Sequence, residues 1–124
     1  MRLWLFIAGV DGALAVVMAA VGAHGPALAD RPAHWFASAN DIHAWHAIAL
    51  VGVAALTRRS RGPSALMLDV AGALFATGTV LFAGTLYIQA LAGTAPLPMA
   101  APAGGIVLVL GWVALAAAAL PRGR

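Results

Sequence analysis

Long stretches free of formal charge dominate the chain. The clearest runs from Val70 to Leu120, 51 residues without Asp, Glu, Lys or Arg. A bilayer core of ~30 Å needs about 20 mostly apolar residues per helix, so this run holds two spans and a connection. The connection is Gly93-Thr94-Ala95-Pro96-Leu97-Pro98, continuing to Pro102, because proline and glycine do not sustain a helix there. Upstream, Leu3 to Ala23 is apolar apart from Asp11, and Asn40 to Thr57 is apolar apart from Asp41 and two histidines. Gly25 to Ala39, with two prolines, Asp30, Arg31 and Trp35-Phe36, reads as a loop at the membrane surface. Arg58-Arg59-Ser60-Arg61-Gly62-Pro63 separates the second run from the third. The pattern predicts four spans, over 3–23, 40–57, 64–91 and 102–120. At 1.5 Å per residue the third would reach ~42 Å, so it must tilt or project beyond the hydrocarbon.

Composition agrees. Residues of the AVILMFWYC set make up 63% of the 124 and charged residues 9%. Soluble domains average about 45–50% apolar and about 25% charged. A water-soluble domain is thereby excluded, and so is disorder, which needs low hydrophobicity and high charge. The net charge of +3 comes from seven arginines and no lysine. Their distribution argues for topology and against a nucleic-acid partner. Arg2, Arg58, Arg59, Arg61, Arg122 and Arg124 fall on one side of a four-span chain and Arg31 on the other. The positive-inside rule then puts both termini in the cytoplasm. An Ala/Gly/Arg-rich chain without lysine resembles the product of a high-GC bacterium, which points to the inner membrane. Ala27-Leu28-Ala29 after an apolar run looks like a signal-peptide cleavage site, but Asp11 inside that run and a single preceding arginine argue against cleavage. With no cysteine, disulfides and thiolate metal sites are excluded.

Four local patterns occur in order: Gly22-Ala23-His24-Gly25 ending the first span, His46-Ala47-Ile48-Ala49-Leu50 in the second, Phe82-Ala83-Gly84-Thr85-Leu86-Tyr87 late in the third, and Ala101-Pro102-Ala103-Gly104-Gly105 with Gly111-Trp112 in the fourth. In this order and spacing they resemble the YgdD-like family of small four-span membrane proteins, long filed as a domain of unknown function and related to eukaryotic transmembrane protein 256. The resemblance covers essentially the whole chain and implies a fold and a membrane location, with little chemistry. Where the family pattern has a Tyr-Gln pair before the second-span histidine this chain has Ile42-His43, and Val21 stands in place of a Phe. Asp11 occupies a position expected to be small and uncharged.

With this topology the polar residues sort by depth. His24, His43, His46 and Tyr87 are expected to converge at the outer face. His43 and His46, three apart on a helix, could hold one metal ion with His24 or Asp41 supplying further ligands, and His24 with His46 is the one pair that could carry a haem. The plainer expectation is that no cofactor is bound and that His46 hydrogen-bonds a backbone carbonyl or Tyr87, tying helices together. Asp11 and Asp69 fall in the inner half, about eight and five residues from their helix starts. A carboxylate there costs ~2.5–3.5 kcal/mol on insertion scales, so each is a candidate functional acid. Asp69 is expected to reach the interface or pair with an arginine of the Arg58 to Arg61 loop, which leaves Asp11 as the deeper of the two. Trp4, Trp35 and Trp45 read as interfacial anchors, with Trp112 packing mid-span.

No nucleophile-base pair, phosphate loop or glycosidase-like acid pair stands out. The expected protein is therefore an all-α, integral membrane four-helix bundle without enzymatic activity, serving as a scaffold or accessory subunit that meets lipid, another membrane protein or a second copy of itself. A metal- or haem-binding protein using His24, His43 and His46 is the alternative, and a small ion- or proton-coupled transporter relying on Asp11 the second.

Overall fold

The computed structural model describes residues 2–24 and 33–120. Four helices follow one another: α1 (Arg2–His24), α2 (Ala33–Thr57), α3 (Pro63–Ala92) and α4 (Ala100–Ala118). Of these, α1, α3 and α4 are long and apolar enough to cross a membrane. The chain starts α3 with Gly62 at φ 59° ahead of Pro63, whose missing N–H costs nothing in a first turn. It ends α3 at Gly93, whose φ of 79° lets its N–H bond back to Gln89 O at 2.9 Å. The Gly93-to-Pro98 connection stands as expected, while Pro102 falls inside the first turn of α4, where its ring is tolerated.

One boundary differs. Of the surface loop expected over 25–39, the part from Ala33 onward is helix, since α2 begins there and carries Trp35-Phe36. The cause is packing. Phe36 is buried against Tyr87, ring centroids 5.1 Å apart, and lies so close to Gly22 that a Cβ there would come within 2.6 Å of the ring. Residues 25–32, with Arg31, and the C-terminal Arg122 and Arg124 lie outside the described residues.

Two buried clusters fix the up-and-down arrangement. At one end Trp4 meets Val53, Ala54, Leu68 and Ala114. At the other, Phe36 and Ala39 meet Ala83, Tyr87 and Ala90, with Met18 and Val21 against them. Arg2, Arg58, Arg59 and Arg61, the arginines among the described residues, therefore share the first end. Close approach between helices relies on absent side chains, as membrane helix packing does. A Cβ on Gly104 would stand 2.5 Å from Phe82 N, one on Gly111 2.7 Å from the Phe75 ring, and one on Gly72 2.7 Å from the Trp4 indole. Where α4 crosses α3, residues Val80–Gly84 open into a π-helical turn, the local widening typical of functional or irregular positions.

Inside and outside are reversed relative to a soluble protein. Phe6, Ile48 and Val80 are 70–71% exposed on three different helices, while His43 and His46 are buried at 6% and 4%. Burying imidazoles and exposing large aliphatics is favourable when the surroundings are hydrocarbon, where the outer face has nothing to gain from water. It also explains why α2 is the least apolar helix. Its Asn40, His43 and His46 face inward and find partners there.

Candidate functional site

Two polar assemblies occupy the bundle interior, and both are built on α2. In the first, Asn40, His43, Asp11 of α1 and Tyr87 of α3 form one hydrogen-bonded chain. Asn40 Nδ2 lies 2.9 Å from Ala15 O and 3.1 Å from the Tyr87 hydroxyl, the hydroxyl lies 3.0 Å from His43 Nδ1, and His43 Nε2 lies 3.0 Å from Asp11 Oδ1. Elementary donor rules orient its Asn40 end. The backbone carbonyl of Ala15 can only accept, so Asn40 presents its NH2 group and donates to the Tyr87 oxygen as well. The Tyr87 hydroxyl also bonds His43 Nδ1, and His43 Nε2 bonds the Asp11 carboxyl, so the imidazole bridges a hydroxyl and an acid.

The second assembly centres on His46. Its Nδ1 lies 2.7 Å from Ile42 O, which again can only accept, so the proton sits on Nδ1. Nε2 accepts from the Trp112 indole at 3.0 Å. Phe75 and Trp112 close around the ring edge-on, with centroids 5.3 Å and 5.8 Å away. Both nitrogens are used and the ring is neutral.

This geometry corrects the expected outer-face cluster. His43 and Tyr87 do meet, but His46 points to a different neighbourhood, toward α4, and His24 is exposed at the end of α1. The shared metal or haem site of His24, His43 and His46 is not assembled, and among the described residues no three His, Cys, Asp or Glu side chains gather as a metal would require. The backbone-carbonyl bond expected for His46 is present. Asp69 accepts from the Trp4 indole at 2.7 Å, where the interface or an arginine was expected, and Trp4 is buried against the bundle. Asp11, assigned by linear distance to the inner half, is the partner of a supposedly outer histidine.

Three members escape a reading of the residues alone. Asn40 carries a usable signal, lying three residues before His43 on the same helical face. Trp112 offers an indole N–H to a mid-span position, which calls for an acceptor. Thr79 gives none. Its Oγ1 is buried without a hydrogen-bond partner, as is Asp11 Oδ2. Both residues line one cleft of about 260 Å3 between α1 and α3, floored by His43 and flanked by Leu14, Met18, Val80 and Ala83.

Fold and interior together define a class: an all-α membrane bundle whose polar side chains bond to one another inside an apolar shell. Residues 18–105, more than two thirds of the chain, match the family described as protein of unknown function (DUF423), and the chain belongs to that family. It is 30% identical to the UPF0382 membrane protein YwdK of Bacillus subtilis over 97% of its own length and 98% of the relative's. It is 27% identical to the UPF0382 inner membrane protein YgdD of Escherichia coli over 96% of its length and 90% of that protein's. No solved structure matches the chain.

Proposed function

We propose that this protein is a non-enzymatic accessory protein of the bacterial inner membrane, with all four helices spanning and both termini cytoplasmic, which binds lipid or a further membrane protein along its apolar exterior. The observation that carries the reading is the reversed surface. Large apolar side chains such as Leu3, Phe6, Ile48, Val80, Ile106 and Val109 stand outside, while buried polar groups are spent on one another. The grouping of Arg2, Arg58, Arg59 and Arg61 at one end favours that end as the cytoplasmic one. A cofactor-free reading is supported by the rings of His43 and His46, each of which already has both nitrogens in hydrogen bonds. In favour of the non-enzymatic reading, the Tyr87 hydroxyl that bonds His43 belongs to a buried residue and is already engaged by Asn40.

The test is purification in a mild detergent with lipid phosphorus and particle mass both measured. Retained phospholipid, or a mass above that of one chain plus detergent, is expected. A bare single chain with no phosphorus overturns the reading.

A further inference from the structure

The cleft between α1 and α3 is lined by two residues whose buried oxygens the protein itself leaves without partners. In the chain Asn40, Tyr87, His43, Asp11 the acid is engaged through Oδ1 alone. Its second oxygen, Oδ2, is buried without a partner. Thr79 is 3% exposed and its Oγ1 is equally unpartnered. Both residues line the same cleft, whose apolar walls include Leu14, Met18, Val80 and Ala83, with His43, Tyr87 and Gly84 completing it. An acid and a hydroxyl set deep in otherwise aliphatic walls, with exposed Leu14 and Val80 at the lipid-facing rim, make a site with a polar part and an apolar body. Asp11 keeps 16% of its side chain exposed, so the site is not sealed. Buried polar groups ordinarily find partners, and an unbalanced carboxylate within hydrocarbon is costly. The missing partner is a cation that also donates hydrogen bonds.

We propose that the α1–α3 cleft binds an amphiphile bearing a primary or secondary ammonium group, its N–H donors going to Asp11 Oδ2 and Thr79 Oγ1 and its chain lying between Leu14, Met18 and Val80. The ammonium neutralises the carboxylate, and the apolar body enters sideways from the bilayer. The proposal rests on the lipid-embedded reading above and adds a ligand class to it.

Dodecylamine, dodecanol and dodecyltrimethylammonium, titrated onto the intact protein and read by native mass spectrometry, separate the contributions. Dodecanol donates without charge, and the quaternary ion carries charge without a donor. The amine is expected to saturate at one per chain and to bind about ten-fold tighter than either of the others, since a charge-assisted hydrogen bond is worth roughly one decade or more. Asp11→Asn keeps an acceptor for His43 and removes the charge, so it should abolish the amine's advantage. Gly84→Leu is a second variant that does not touch the polar chain. Gly84 lines the cleft and a Cβ on it meets nothing within 4 Å, so the larger side chain fills the space in a folded protein. It should block the amine while helicity is unchanged. Equal uptake of the three probes, or undiminished amine binding by both folded variants, overturns the site. Should the protein still carry phospholipid in that case, the proposal for the cleft falls while the accessory reading stands.

Discussion

At the residue scale the informative feature is that His43 and His46, three positions apart on one helix, are held by different partners. His46 carries its proton on Nδ1 because Ile42 O can only accept, while His43 bridges the Tyr87 hydroxyl at Nδ1 and the Asp11 carboxyl at Nε2. Long-range 1H–15N correlation of the labelled imidazoles distinguishes the two tautomers directly. We expect a proton on Nδ1 of His46 and a proton on Nε2 of His43, in its bond to Asp11. A His43 without a proton on Nε2 would mean that the Asp11 carboxyl is the donor, and then no carboxylate would line the α1–α3 cleft. Tyr87→Phe probes the same chain by stability. It removes one hydroxyl that bonds two α2 side chains, and interhelical bonds in membrane bundles average ~0.6 kcal/mol, so a loss of about 1 kcal/mol is expected on unfolding by dodecyl sulfate. A variant as stable as the parent would show that the hydroxyl holds nothing together.

At the scale of elements, the α3–α4 crossing depends on glycine at Gly104 and at Gly78, whose Cβ would come within 3.0 Å of Leu108 N. A Cβ on Gly104 would meet backbone, Phe82 N at 2.5 Å and Leu81 C at 2.9 Å, and a helix backbone cannot rotate aside as a side chain can. Gly104→Ala should therefore cost about 1–3 kcal/mol, the usual range for overpacking. Gly52, inside α2, has open space around its Cβ position. There Gly52→Ala should stabilise by roughly 0.5–1 kcal/mol through helix propensity alone. The pair of variants, compared in the same unfolding titration, isolates contact from propensity. Equal effects would argue against the tight crossing.

The same comparison of elements shows why part of the architecture is legible in the residues and part is not. The Gly93-to-Pro98 break is readable because glycine and proline act locally. The start of α2 is not, because Trp35, Phe36 and Asn40 become helical through contacts with Gly22, Tyr87 and Ala15 that are remote in the chain. That misplaced start has a direct consequence for the site. With a helix beginning at Asn40, His43 belongs to the outer surface; with one beginning at Ala33 it is the eleventh residue, about 15 Å down the axis. Asp11, the tenth residue of α1, is about 14 Å from the opposite end. The two residues meet in mid-bundle, and counting from a wrong boundary hides the pairing. The π-helical turn at Val80–Gly84 has no local sequence signature, since it answers to how α4 packs on it.

For the whole molecule the open physical question is which way the bundle sits and whether α2 crosses with the rest. Its polar residues lower its mean hydropathy, yet those residues face inward and cost the outer surface nothing. An α2 of 25 residues spans about 37 Å at 1.5 Å per residue, enough for a ~30 Å core with its ends projecting. Because the chain contains no cysteine, single cysteines can be placed without removing any. His34→Cys lies at the start of α2, Ser60→Cys between α2 and α3, and Thr94→Cys between α3 and α4. A membrane-impermeant maleimide added to cells with a permeabilised outer membrane should label His34→Cys and Thr94→Cys but reach Ser60→Cys after lysis alone, because Ser60 sits among the arginines that the positive-inside rule retains in the cytoplasm. Each pairing of sites tests a separate step. Labelling of Ser60→Cys together with Thr94→Cys would mean that α3 does not cross, labelling of Ser60→Cys together with His34→Cys would mean the same for α2, and labelling of Ser60→Cys alone would invert the bundle and turn the arginine end outward.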